Sequence, residues 1–149
     1  MKSVVQLDID VPRAPLAALF TDPELNTQWM DDIERIEPIS GQLGKPGSRY
    51  RLVPKKGSMV FVATVVARDL PRESRLNLEA SNVVVSVKGT LTALSPNRTR
   101  LVSEELFTFK GLLNKAFGFL AQRSIKKAHR QHMESFKRFA ERQGVGANP

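Results

Sequence analysis

Between Tyr50 and Phe109 apolar positions recur every second residue, and after Lys110 they recur every third or fourth. The first period belongs to half-buried strands and the second to an amphipathic helix. Tyr50 and Leu52 share a face in one run, and strict alternation puts Met59, Phe61, Ala63, Val65 and Ala67 on one face of the next. Leu76, Leu78 and Ala80 follow, with Arg75, Asn77 and Glu79 opposite. Val83, Val85, Val87 and Leu91 then oppose Ser86, Lys88, Thr90 and Thr92, and a last run over about 98–109 aligns Leu101, Phe107 and Phe109. Asp69-Leu70-Pro71 and Ser95-Pro96-Asn97 punctuate the runs. Strands at such short intervals with polar turns predict an antiparallel meander.

Upstream, β-branched residues from Val4 to Ile9 predict a strand at about 2–10. Pro12 and Pro15 suit the first turn of a helix whose apolar side is Leu16, Leu19 and Phe20. A second short helix runs to about Trp29; either Asp22 caps it before Pro23, or Thr21 and Glu24 form a capping box. Ile33, Ile36 and Ile39 indicate a strand with an irregularity, ended by Gly41, and Gly44-Lys45-Pro46-Gly47 is turn chemistry. Downstream, residues 112–142 contain no proline, and Gly118 is their interior glycine. Phe117, Ala121, Ile125, Ala128, His132, Phe136 and Phe139 predict the apolar stripe of one helix near 30 residues long, which Gly144 stops. We expect one domain over 1–143 and a frayed tail over 144–149.

A meander needs a cover for its apolar face, and the final helix carries the one large stripe available. The predicted fold is therefore α+β: a curved antiparallel sheet of about six to seven strands wrapped around a long C-terminal helix, with two short helices after the first strand. The order of the segments Val11-Pro12-Arg13-Ala14-Pro15 to Phe20, Thr21-Asp22-Pro23-Glu24 to Trp29, Gly44-Lys45-Pro46-Gly47-Ser48-Arg49-Tyr50, the hairpins and the long helix resembles the START-related helix-grip superfamily. That superfamily includes polyketide cyclases/dehydrases, pollen-allergen-like proteins and lipid-transfer domains. The resemblance spans about residues 2–142. It implies a hydrophobic cavity between sheet and helix, and it implies no particular reaction, because enzymes, carriers and regulators share the fold.

Charge sharpens the picture. The chain carries a formal net charge of +8, distributed as an acidic head and a basic tail. Residues 1–37 hold three bases against eight acids, whereas residues 110–149 hold nine bases against Glu134 and Glu141. Lys115, Arg123, Lys126, Lys127 and Arg130 form a basic helix surface that either is simply solvated or meets an anionic membrane or RNA. Nucleic acid is the disfavoured partner, because the nearby aromatics sit at core spacing and not as stacking platforms. The chain has no cysteine, no apolar leader and no membrane-length apolar run, and we expect a cytoplasmic protein.

A cavity in this fold would be lined by inward strand residues and the start of the long helix. The candidates are Trp29, Tyr50, Leu52, Phe61, Ala63, Val65, Leu78, Val85, Val87, Glu105, Phe107, Phe117 and Leu120. Each is also a plausible core residue. Phe117-Gly118-Phe119-Leu120 reads either as a gated cavity mouth or as ordinary packing. Strict alternation from Leu101 to Phe109 turns Ser103 and Glu105 inward; a carboxyl on the cavity wall has a raised pKa and can serve as an acid or base. Glu105 and Tyr50 are the candidate catalytic groups.

His129 and His132 are three apart, not the four of helical zinc sites, so we expect no metal. His132 lies on the apolar stripe as a hydrogen-bonded core histidine, and His129 faces solvent. Asp31 and Asp32 read as solvated loop residues. There is no Gly-x-Ser-x-Gly elbow, phosphate-binding loop or dinucleotide fingerprint, so we expect no cofactor. Three functions follow: a binder or carrier of a small hydrophobic molecule or lipid, a cyclase/dehydratase-like enzyme in the same cavity, or an interaction module working through the basic helix.

Overall fold

The computed structural model describes residues 1–57 and 59–146. Strand β1 (Lys2–Ile9) leads into helix α1 (Arg13–Thr21), a 3-10 turn (Pro23–Leu25) and the single-turn α2 (Asn26–Trp29). Six strands follow: β2 (Ile33–Ser40), β3 (Arg49–Pro54), β4 (Phe61–Asp69), β5 (Glu73–Glu79), β6 (Val83–Ser95) and β7 (Arg98–Phe109). Helices α3 (Leu112–Leu120) and α4 (Gln122–Gly146) complete the chain. All neighbours in the seven-stranded sheet are antiparallel, in the order β1-β7-β6-β5-β4-β3-β2. No helix among the described residues is long and apolar enough to cross a membrane.

Local chemistry sets the element boundaries. The Asp22 carboxylate accepts from the Glu24 N–H at 3.0 Å, so Asp22 is the cap at this break, while the Thr21 hydroxyl donates back to the Ala17 carbonyl. Register irregularities between Ile33 and Arg35, Pro38 and Ser40, Val65 and Ala67, and Ala93 and Ser95 bend the strands, as bulges do. Pro38 sits on edge strand β2, where a missing donor is tolerated.

The main core lies between β1, β6, β7, α1 and α4. Phe136 is fully buried at its centre, with the rings of Phe20 and Trp29 each 5.1 Å away in edge-to-face contact. Ile9, Val11, Leu16, Leu91, Leu101 and Phe139 close around this trio. Gly89 on β6 makes room for it: a Cβ there would stand 2.5 Å from the Phe20 ring.

The terminal helix departs from the expected single rod. Ala121 leaves helical geometry and divides it into α3 and α4, and α4 continues past Gly144 to Gly146. The tail expected over 144–149 is thus helical backbone as far as 146, and 147–149 lie outside the described residues. Phe136 and Phe139 are buried as the stripe requires, but its earlier part is shifted by one position. His129, Met133, Phe136, Phe139 and Ala140 face the core, whereas Ala128 is exposed and His132 is half-exposed. The reversal of the two histidines has a physical cause, because the sheet offers hydroxyls to His129 where the pattern anticipates an apolar side chain.

Helix α3 reverses the expectation for Phe117 and Leu120, which are 66% and 82% exposed. Gly118 is the residue that meets the sheet; the Phe109 ring occupies the space a Cβ would need, 2.4 Å away. The large residues flanking this glycine are consequently exposed.

These placements predict unequal costs for two similar substitutions. Phe136→Ala should lose about 3–5 kcal/mol of stability, the range for deleting a buried aromatic. Phe117→Ser should change it by no more than about 0.5 kcal/mol, as exposed substitutions do. Urea unfolding of both variants measures the difference, and comparable losses would mean that α3 is misplaced.

Candidate ligand cavity

Two rows of side chains run across the concave face of the sheet. Arg68, Ser74, Gly89 and Ser103 are register partners from β4 to β7. Val65, Leu76, Val87 and Glu105 form the adjacent row. Phe20, Thr21 and Pro23 roof these rows from the α1 side, and Asn26, Trp29 and Met30 continue the roof through α2. Tyr50 and Leu52 form a side wall, and His132 with Met133 contribute the α4 side. The space between them is about 90 Å³ and is partly open to solvent. One water needs only about 10–15 Å³ of such space.

The thirteen candidate residues divide by position. Trp29, Tyr50, Leu52, Leu78, Val87 and Glu105 line this cavity. Phe61, Ala63, Val65 and Val85 lie in two smaller core clusters and do not line it. Phe107 stacks on Phe109 at 6.1 Å beside a separate groove under α3, because β7 has run past the roof by that point. Phe117 and Leu120 are out of reach for the reason given by Gly118.

Glu105 faces inward as alternation requires, and its side chain is 19% exposed. Its nearest polar neighbour of basic type is His129, with Nδ1 3.6 Å from Oε1, beyond hydrogen-bond length. That imidazole is already bracketed by two hydroxyls, Ser3 Oγ 2.8 Å from Nδ1 and Ser103 Oγ 2.9 Å from Nε2. Burial, with lesser effects of His132 and Arg130, pushes His129 down to about 4, so it is neutral near pH 7. It offers Glu105 no counter-charge. Burial pushes the Glu105 carboxyl up to about 7, with His132 pulling weakly the other way.

His132 behaves differently because it has a partner. Its Nε2 lies 3.3 Å from Oδ1 of Asp32, the residue expected to be merely solvated. Asp32 holds His132 above the ordinary histidine value against the opposing effect of burial, and His132 holds Asp32 below the ordinary carboxylate value. The Asp32–His132 pair thus brings a loop carboxylate and a helix imidazole to the cavity edge. Tyr50 is buried; burial pushes its phenol up, while Asn26 and Arg68 pull it back.

Arg68 is the wall residue that alternation misses. Extending the β4 pattern from Val65 turns Ala67 inward and Arg68 outward. The bulge between Val65 and Ala67 reverses that parity, so Arg68 pairs with inward Ser74. Its Nη1 donates to Ser74 Oγ and its Nη2 to the Thr21 carbonyl at 3.5 Å, but its Nε is buried without a partner. Burial pulls its pKa down. The indole N–H of Trp29 is likewise buried and unpartnered. Adjacent valines at 65 and 66 are the only local sequence sign of the bulge, and they are too common in strands to signal it.

Outside the cavity, Lys115, Arg123, Lys126, Lys127 and Arg130 are all exposed, and Arg130 approaches Glu134 at 3.8 Å.

No protein-family model and no curated protein matches the chain. Solved structures match over nearly its whole length. A protein from Thermus thermophilus shares 16% identity and a TM-score of 0.73 over 100% of both chains. A START superfamily protein from Mycobacterium smegmatis shares 15% identity and a TM-score of 0.73 over 97% of each. The Zhui aromatase/cyclase from Streptomyces sp. R1128 shares 14% identity and a TM-score of 0.69, over 93% of this chain and 95% of its own. At such identities the likeness is one of fold: the chain has a helix-grip fold, and no family is distinguished by it.

Proposed function

We propose that this protein binds a small, largely apolar molecule in the cavity between the sheet and α4. The lined space carries the reading, with Trp29, Leu52, Leu76, Leu78, Val87 and Met133 in its walls and a few convergent polar groups among them. Apolar walls with sparse, fixed polar groups are the usual make-up of small-molecule sites.

A catalytic use of the same cavity is the second reading, and the setting of Glu105 and His132 favours it. Both line the space, one a carboxyl near 7 without a hydrogen-bond partner, the other an imidazole tethered by Asp32. A carboxyl poised near neutral pH with an imidazole in the same lining suits proton transfer of the cyclase/dehydratase kind. The aromatase/cyclase of the same fold is consistent with such chemistry.

The basic helix supports a further role for the surface, docking on an anionic bilayer. Leu112, Leu113, Phe117, Phe119 and Leu120 are 66–88% exposed, and the exposed Lys115, Arg123, Lys126 and Lys127 flank them. Exposed apolar groups beside basic ones match an interface of acyl chains and acidic headgroups.

Three measurements test these readings. Leu78→Trp, which fills the cavity, should weaken binding of naphthalene-sized aromatic probes at least tenfold while the fold persists by circular dichroism. If native mass spectrometry shows no copurifying molecule and no probe binds saturably, the cavity reading fails. For Glu105, the folded value lies above the unfolded one, so its ionisation destabilises the fold as pH rises through about 7, and that penalty vanishes below about 4.5. Glu105→Gln should therefore gain stability relative to the natural chain by roughly 2–3 kcal/mol between pH 5 and pH 9. A pH-independent difference in unfolding free energy would show that Glu105 is already ionised at neutral pH. For the surface, the chain should sediment with phosphatidylcholine vesicles containing phosphatidylglycerol and not with phosphatidylcholine alone. Lys126→Glu with Lys127→Glu should weaken this at least tenfold, given about 1 kcal/mol per basic residue at such a surface. Absence of sedimentation, together with a dimer that Phe117→Ser dissociates, would assign α3 to self-association.

A further inference from the structure

Arg68 is the arginine that lines the cavity, and among the described residues no carboxylate lies within ion-pair distance of it. The contrast with the surface is informative. Arg75 pairs with Glu73 at 3.1 Å and Arg100 with Asp8 at 2.9 Å, at positions where water makes such pairs worth little. Arg68 is half-buried where Arg75 is exposed, and its acceptors, the Ser74 hydroxyl and the Thr21 carbonyl, are both neutral. Its Nε–H has no acceptor at all.

Glu105 does not fill this role. It lies on β7, three strands from β4, roughly 14 Å along the sheet at about 4.8 Å per strand. It feels His132 and not Arg68. A desolvated guanidinium without a counter-charge is costly, and a cavity that maintains one is built to receive the missing charge from outside. The guanidinium group also specifies geometry. Two N–H groups of a guanidinium match the two oxygens of a planar oxyanion, a match that neutral groups cannot supply. Neighbouring Tyr50 and Asn26 are neutral groups able to hydrogen-bond the same head, and nothing acidic intervenes.

We propose that the cavity's ligand is an amphipathic acid, its carboxylate on the Arg68 guanidinium and its apolar body along Leu76, Leu78, Val87 and Trp29. The proposal rests on the cavity-binding reading and adds the chemical class of the ligand. An aromatic acid and a fatty acid present the same head, so both are included in the test.

Calorimetric titration at pH 7.5 would compare matched pairs that differ only in the head: 2-naphthoate with 2-naphthalenemethanol, and decanoate with decanol. The natural chain should bind at least one acid tenfold or more tightly than its alcohol, and the pair showing the preference identifies the body as aromatic or aliphatic. Arg68→Met should abolish the preference while retaining alcohol binding. The Arg68 Nε–H resonance should shift on adding the acid and not the alcohol, a readout independent of any variant's folding. Equal binding of acid and alcohol, or a preference that survives Arg68→Met, would overturn the anionic assignment and leave the cavity reading intact. Failure of all four probes to bind would overturn both.

Discussion

The edge-to-face contacts of Phe136 with Phe20 and Trp29 hold this fold in its working shape. The three rings come from α4, α1 and α2, so one cluster fixes the long helix and the short helices relative to each other. Helices packed on a curved sheet can cover its concave face at one side or the other, and a seven-stranded face is wider than one helix. Here α4 rests chiefly on β1, and the α1–α2 segment is drawn over β6 by Phe20 on Gly89. The side-chain rows from β4 to β7 are roofed by this segment without being packed solid, which leaves the cavity. The cavity is thus a consequence of where the aromatic contact places the helices, and Trp29 serves both as clamp and as wall.

Much of this was legible along the chain, for a reason that also explains what was not. Period-two alternation survives wherever strands pair regularly, so the inward set Tyr50, Leu52, Leu78, Val87 and Glu105 followed from it. A single extra residue reverses the parity of everything beyond it. That is why Arg68 emerges only from the paired strands, where Val65 opposes Leu76 and Ala67 opposes Arg75. The helix stripe failed differently. Hydrophobic periodicity assigns a buried face by apolar content, and His129 is buried through Ser3 and Ser103, which lie 126 and 26 residues away. No local window contains those partners, so the apolar reading passed to His132. At α3 the misleading feature was the reverse, a dense apolar segment docked by its glycine.

The serines around His129 also govern the chemistry of its neighbour. A protonated imidazole 3.6 Å from Glu105 would stabilise the carboxylate and lower its pKa. Two hydroxyls that satisfy both ring nitrogens, together with full burial, keep the imidazole neutral instead. The effect that opposes burial at Glu105 is a lowering by His132, whose imidazole is tied to Asp32 at 3.3 Å. The proton on Glu105 near pH 7 is therefore a property of the whole arrangement of β1, β7 and α4.

With Arg68 at one end and Glu105 at the other, the cavity has an electrostatic direction. An oxyanion is attracted at the β4 end and repelled at the β7 end whenever Glu105 is ionised. When Glu105 is protonated, its O–H can donate to a neutral oxygen on the ligand's far end, so both protonation states favour the same orientation. A molecule held this way places its far end beside His132, whose tie to Asp32 fixes the ring. Binding and proton transfer then need no separate sites: the arginine orients the ligand, and the carboxyl and imidazole lie where the ligand's distal polar group arrives. On the proposed reading, the chemistry of that distal group decides between carriage and reaction, because Glu105 and His132 both line the space it would enter.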